Sequence, residues 1–132
     1  MNNNNYYAPI IIFSYKRLDS LKNLINSIKL NKEYNFHKIY IFSDNYKDII
    51  DKREVNKVRL YCRKIKFKNK KVILRKKNYG LAKNIISGVS DVIKKHGKAI
   101  ILEDDLVVGK NFLKFMNDSL EKYQFEKKIW HI

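Results

Sequence analysis

Residues 9–17 read Pro9-Ile10-Ile11-Ile12-Phe13-Ser14-Tyr15-Lys16-Arg17, an unbroken apolar run that stops abruptly in polar and cationic side chains. A strand with one face in water alternates apolar with polar residues, whereas a strand covered on both faces does not. This stretch therefore predicts a strand inside a parallel sheet. In open parallel sheets the loops converge, and ligands bind, at the carboxyl ends of the strands, so Ser14, Tyr15 and Arg17 become the first candidate site residues.

Downstream the pattern repeats. Leu18, Leu21, Ile25 and Ile28 recur at helical spacing, then Lys38-Ile39-Tyr40-Ile41-Phe42 reads as a second strand closed by Ser43-Asp44-Asn45, a turn triplet that also offers a helix cap. Val55, Val58, Cys62 and Ile65 suit a second helix, Lys71-Val72-Ile73-Leu74 a third strand, and Leu81, Ile85, Val89, Val92 and Ile93 a third helix that Gly97 ends as a left-handed residue. Ala99-Ile100-Ile101-Leu102 is the fourth strand, and Phe112, Phe115, Met116, Leu120 and Tyr123 mark the last helix. Such alternation predicts an α/β fold with a mainly parallel, Rossmann-like sheet of about four strands, helices on both faces, and Ile11, Ile41, Ile73 and Ile101 in the core. No linker or repeat divides residues 1–132, so one domain is expected. Ile129-Trp130-His131-Ile132 looks like the opening of a further strand, which suggests a polypeptide truncated at its C-terminal end.

Composition narrows the class. With 45% hydrophobic residues the chain can bury a core, and its single cysteine, Cys62, excludes an intrachain disulfide and sits on an apolar stripe as a core residue. The longest apolar runs are far shorter than a membrane span, and Met1 with the polar run Asn2 to Asn5 lacks the features of a secretory signal and reads as a frayed terminus. These features suit a cytoplasmic protein, including one at the inner face of a membrane. The formal charge of +16 favours polyanionic neighbours, such as nucleotide phosphates, nucleic acid or anionic lipid, against the alternative of lysines spread over a solvated surface. Arg63 to Lys77 holds nine Lys or Arg among fifteen residues, but with no recognised nucleic-acid motif this run reads as a solvated edge, and no specific nucleic-acid partner is expected.

The polar residues following the other strands are Asp44 and Asn45, Asn78 to Lys83, and Glu103-Asp104-Asp105. Three adjacent carboxylates repel one another unless a positive group sits among them. Hard Mg²⁺ or Mn²⁺ meets that need, because it accepts carboxylate oxygens and completes its shell with water and phosphate. The alternative is that the acids serve the N-terminus of the next helix. Neither a Gly-x-Gly-x-x-Gly nor a P-loop motif occurs, and His37, His96 and His131 have no metal-ligand spacing and read as surface or structural residues.

Taken together, Pro9 to Arg17, Asp44, Asn78-Tyr79-Gly80-Leu81-Ala82-Lys83-Asn84 and Ile101-Leu102-Glu103-Asp104-Asp105-Leu106 resemble, in order and spacing, the inverting GT-A glycosyltransferases. The Leu-Glu-Asp-Asp-Leu form is similar to the N-acetylglucosaminyltransferase I type, and the whole resembles bacterial family 2-like sugar transferases over roughly residues 8 to 125. The resemblance implies a nucleoside diphosphate sugar as donor, most readily a UDP-sugar, with a glycan or lipid-linked acceptor and peripheral membrane association. It implies that Asp105 coordinates Mn²⁺ or Mg²⁺ on the diphosphate, that Glu103 and Asp104 hold ribose and donor sugar, that Asp44 contacts the base, and that Arg17 and Lys83 support the donor. Members of the family carry the general base beyond the metal motif, so no catalytic residue is assigned in this chain.

Two other classes are open to the same sequence. A nucleotidyltransferase on a related fold would carry a glycine-rich loop after the first strand, and Ser14 to Ser20 contains no glycine. A basic nucleic-acid- or membrane-binding module without catalysis would use the net charge alone.

Overall fold

Ile10, Ile11 and Ile12 have no exposed surface, and every other element of the fold is arranged around them. In a computed structural model describing residues 6–132, they lie in β1 (Ile10–Ser14), paired in parallel with β2 (Ile39–Ser43) on one side and β4 (Ile100–Glu103) on the other. β3 (Lys70–Leu74) pairs with β2, so the sheet runs β3-β2-β1-β4 and all its pairings are parallel. Met1 and the expected frayed run Asn2 to Asn5 lie outside the described residues. The α/β class, the parallel sheet and the four strand positions are as the sequence predicts.

Four helices cover the sheet: α1 (Leu18–Lys29), α2 (Ile49–Lys64), α3 (Leu81–His96) and α4 (Phe112–Tyr123). From β1 to β3 the chain walks one way, then it jumps back past β1 to β4. Because parallel crossovers are right-handed, a reversal of direction sends the intervening helix to the opposite face. Accordingly Ile10, Ile12, Ile39, Ile41, Ile100 and Leu102 pack with side chains of α1, α2 and α4, while Ile11, Phe13, Tyr40 and Phe42 face α3. α3 sits unusually close. A Cβ on Gly88 would come within 2.8 Å of the Phe13 ring, and this near contact is why glycine stands there.

Two core expectations fail. Ile73 is only partly buried and Ile101 is 45% exposed. Both lie on the α3 side of edge strands, and α3 packs over the central pair β1 and β2. An apolar run identifies a strand, but it does not report whether an element lies over each face. Leu81 and Phe115, read as helix core positions, are also exposed, and the buried positions of α4 are Leu113 and Asn117. Ile129 to Ile132 form no strand, and Trp130 is 91% exposed. Among the described residues no helix is long and apolar enough to cross a membrane.

Helix ends follow local chemistry. Asp48, and not the Ser43-Asp44-Asn45 triplet, caps α2 by accepting from the N–H groups of Ile50 and Asp51. Lys70 caps the other end of α2, its Nζ donating to the carbonyls of Cys62, Arg63 and Ile65. Gly97 ends α3 with φ 76°, the left-handed conformation expected of it. Cys62 is fully buried, and burial pushes its thiol pKa up, so it is an inert core residue.

His37 is a structural histidine. Its Nδ1 lies 2.7 Å from the Ala8 carbonyl, which can only accept, so Nδ1 carries the proton and Nε2 accepts from the Asn117 amide at 3.2 Å. Burial lowers its pKa below the usual histidine value. Between that lowered value and the ordinary ~6.5, the unfolded state binds the extra proton, so the contribution is full above pH ~6.5 and is lost as pH falls. Unfolding free energy should therefore decline as pH drops from 7 to 5, and His37→Gln should flatten that slope; a wild-type curve flat over the interval would contradict it. Urea titration should also rank two isoleucines: Ile12→Ala should cost about 2–5 kcal/mol and Ile101→Ala no more than about 1 kcal/mol. Equal losses would mean that both faces of β4 are covered.

Candidate functional site

Strand order reverses between β1 and β4, and there the loops after both strands meet. The Asp104 carboxylate, 3% exposed as a residue, accepts from the Tyr15 backbone N–H at 3.2 Å and from Arg17 Nε at 3.0 Å, with Arg17 Nη2 on the same oxygen as Nε. Arg17 Nη1 reaches Asp105 Oδ2 at 3.0 Å. Partial burial works against the guanidinium charge, but hydrogen bonds and attraction from Asp104 and Asp105 outweigh it and raise the pKa of Arg17. Arg17 is thus the positive group among the three acids, and their mutual repulsion does not by itself require a metal.

A second brace joins β2 to the loop before α3. Asp44 is buried, and its carboxylate accepts from Tyr79 N at 2.8 Å, Gly80 N at 3.0 Å, Asn45 N at 2.9 Å and Asn78 Nδ2 at 3.3 Å. Gly80 adopts φ 74° and ψ 162°, a region open essentially to glycine alone, and turns the chain directly into α3. Asn84 accepts from Arg75 Nε at 2.9 Å, and the Arg75 guanidinium carbon lies 5.0 Å from the centre of the Phe42 ring and 4.5 Å from that of Tyr79. The spacing Asn78, Gly80, Asn84 therefore encodes a bracing network, each member tied to Asp44, to the turn or to Arg75.

Between the braces opens a cleft of about 450 Å³. Of the residues expected from the sequence, Ser14, Tyr15, Arg17, Asp44, Glu103 and Asp104 line it. Lys83 does not, but lies with its Nζ 5.3 Å from the centre of the Tyr79 ring, and Asp105 stands outside the lining, half-exposed against Arg17. Ser14 is buried, its Oγ 3.7 Å from Cys62 Sγ. Lys16, Lys47 and Asp51 were not foreseen. Asp51 accepts from the Tyr15 hydroxyl at 2.7 Å and Lys16 Nζ at 2.8 Å, contacts that hold its carboxyl below the usual range. Nothing local in the sequence marks Asp51, whose partners come from another strand end.

Among the described residues the Glu103 side chain makes no hydrogen bond or ion pair, which leaves it the uncommitted carboxylate of the cleft. Lys16, Arg17 and Lys47 line the same cleft as cations. The N-terminus of α3 has no side-chain cap, and its Gly80 and Leu81 line the cleft. No group of three or more His, Cys, Asp or Glu side chains among the described residues is arranged to hold a metal ion. Asp105 and Glu103 do keep carboxylate oxygens without protein partners, so the residues fit an ion held by one or two carboxylates and completed by phosphate and water, not a closed protein cage. Comparison with protein-family models and with curated proteins finds no match to the chain.

Asp44 carries a direct test. Asp44→Asn leaves the size of the side chain but deprives Tyr79 or Gly80 of a charged acceptor, a loss of about 1–3 kcal/mol. Amide exchange at Tyr79 and Gly80 should quicken while that of Ile11 and Ile12 is unchanged. Unaltered protection at 79 and 80 would show that the loop holds itself.

Proposed function

We propose that the cleft binds a nucleoside diphosphate sugar and that the chain supplies the donor side of a GT-A-type glycosyltransferase. The observation that carries this reading is the meeting of Arg17 with Asp104 and Asp105 where the strand order reverses, beside an uncommitted Glu103. That combination offers cations to a diphosphate and a carboxylate to sugar hydroxyls within one cleft. Its volume lies in the range of small-ligand sites. The sequence motifs of the resemblance fall on the loops that form it.

Each residue then has a defined task. Lys16, Arg17 and Lys47 neutralise phosphate charge, helped by the uncapped N-terminus of α3. Glu103 accepts hydrogen bonds from ribose or sugar hydroxyls. Asp104 acts through Arg17 and the Tyr15 N–H, holding the β1 loop in position. Asp44 likewise acts through the loop at Tyr79 and Gly80, because its oxygens are already engaged; a direct contact to a base N–H would have to share them. A divalent cation such as Mn²⁺ or Mg²⁺ would be held by Asp105, with Glu103 beside it, and would stabilise the departing diphosphate. No residue described here is assigned as the general base for an acceptor hydroxyl.

Thermal unfolding with a panel of nucleotide sugars, with and without Mn²⁺, tests the reading. A ligand present at ~100 times its Kd stabilises the native state by about 2.7 kcal/mol, and a UDP-sugar should give such a shift. Asp105→Asn should remove the Mn²⁺-dependent part of it, and Glu103→Gln should weaken binding by about 1–3 kcal/mol with or without metal. Absence of any shift across the panel, in a protein that unfolds cooperatively, would discard the donor-site reading.

A further inference from the structure

The net charge is not spread evenly. From Val55 to Ser90 the chain has twelve Lys or Arg and no Asp or Glu, which accounts for twelve of the sixteen net positive charges. This stretch runs through the end of α2, the connector, β3 and the loop into α3, and β3 is an outer strand of the sheet. The charge therefore lies along one edge of the molecule.

Four of the twelve are committed. Lys57 pairs with Glu54, Arg59 donates to Asn45 and the Arg75 carbonyl, Lys70 caps α2, and Arg75 holds Asn84. The other eight, from Arg63 to Lys83, are all exposed, and none has an acidic partner among the described residues. Elsewhere cations do find acids, as in Lys16 with Asp51 and Lys114 with Asp118. Unpaired like charges gathered on one edge repel one another and are relieved by a polyanion.

The chemistry of the edge favours a lipid surface over nucleic acid. Seven of the eight are lysines, mobile point charges without the planar fork that reads phosphate or base edges bidentately. None of the three described clefts is lined by any of the eight cations, so they are not gathered in a groove of the kind that tracks a nucleic-acid strand. The exposed apolar residue in the acid-free part of α2 is aliphatic: Leu60 stands on the outer face, one turn from Lys57 and Lys64, with Ile49 three turns earlier on the same stripe. An exposed aliphatic side chain beside lysines can add apolar contact to the electrostatic attraction of an anionic bilayer surface.

We propose that the outer face of α2 and the adjoining β3 edge dock onto an anionic lipid bilayer, with the lysines on headgroup phosphates and Leu60 at the headgroup level. This surface is separate from the cleft and does not rest on the donor-site reading. Sedimentation with vesicles of phosphatidylcholine containing about one third phosphatidylglycerol should carry the protein down at low salt, and pure phosphatidylcholine should not. Lys64, Lys66, Lys68 and Lys71 changed together to Gln should lower partitioning by ~100-fold or more. Gln at Lys94, Lys95, Lys110 and Lys122, which removes the same charge from exposed positions elsewhere, should change it less than ~10-fold. Circular dichroism confirms that both variants are folded, and the single change Leu60→Ser offers a milder probe that should weaken binding several-fold. Equal losses in the two lysine variants would overturn the proposal, as would binding to an oligothymidylate with no binding to anionic vesicles, or no vesicle binding at low salt.

Discussion

A strand with no solvent face must be covered twice, and that requirement on β1 organises the molecule. Its isoleucines alternate between two helical layers, so α1, α2 and α4 are needed on one side and α3 on the other. To build both layers the chain has to reverse its course across the sheet. The reversal sets β4 beside β1, where the loops after both strands meet at the cleft, so the site is a by-product of covering β1. Gly88 brings α3 against Phe13 and Phe42 and sets how near that second layer comes.

Acidic residues at strand ends do two different jobs here. Asp104 and Asp44 are buried and fully engaged, each drawing together backbone from distant parts of the chain. Charged hydrogen bonds of this kind are stronger than neutral ones and stiffen what they join. Glu103, Asp105 and the guanidinium of Arg17 face outward with capacity left over. Rigid support behind and unspent charge in front is what a polar ligand needs from a site, because little ordering remains to be done on binding.

Much of this was legible in the sequence. Continuous apolar runs gave away the four strands, helical spacing gave the helices between them, and the polar residues just beyond each run identified most of the cleft. What stayed hidden shares a cause. Arg17 and Asp104 are 87 residues apart, and no local pattern reveals that an arginine will answer the repulsion of three acids. Asp44 looked like a turn residue free to meet a ligand, yet its partners arrive from the loop at Tyr79 and Gly80. Ile101 looked like core because its run is apolar, while its exposure depends on where α3 lies. Pairwise and layer-level facts of this sort enter only with the third dimension.

The bare outer side of β4 has a consequence for handling the protein. An edge strand with an exposed isoleucine is a template onto which another polypeptide can add a strand. What holds copies apart is their common positive charge of +16, a long-range repulsion. Salt shortens the reach of that repulsion to ~8 Å at physiological ionic strength and ~3 Å at 1 M, while leaving the attraction between apolar edges intact. Concentrated samples of this basic protein should therefore stay clear in dilute buffer and cloud as salt is added, the opposite of proteins whose association is driven by complementary charges.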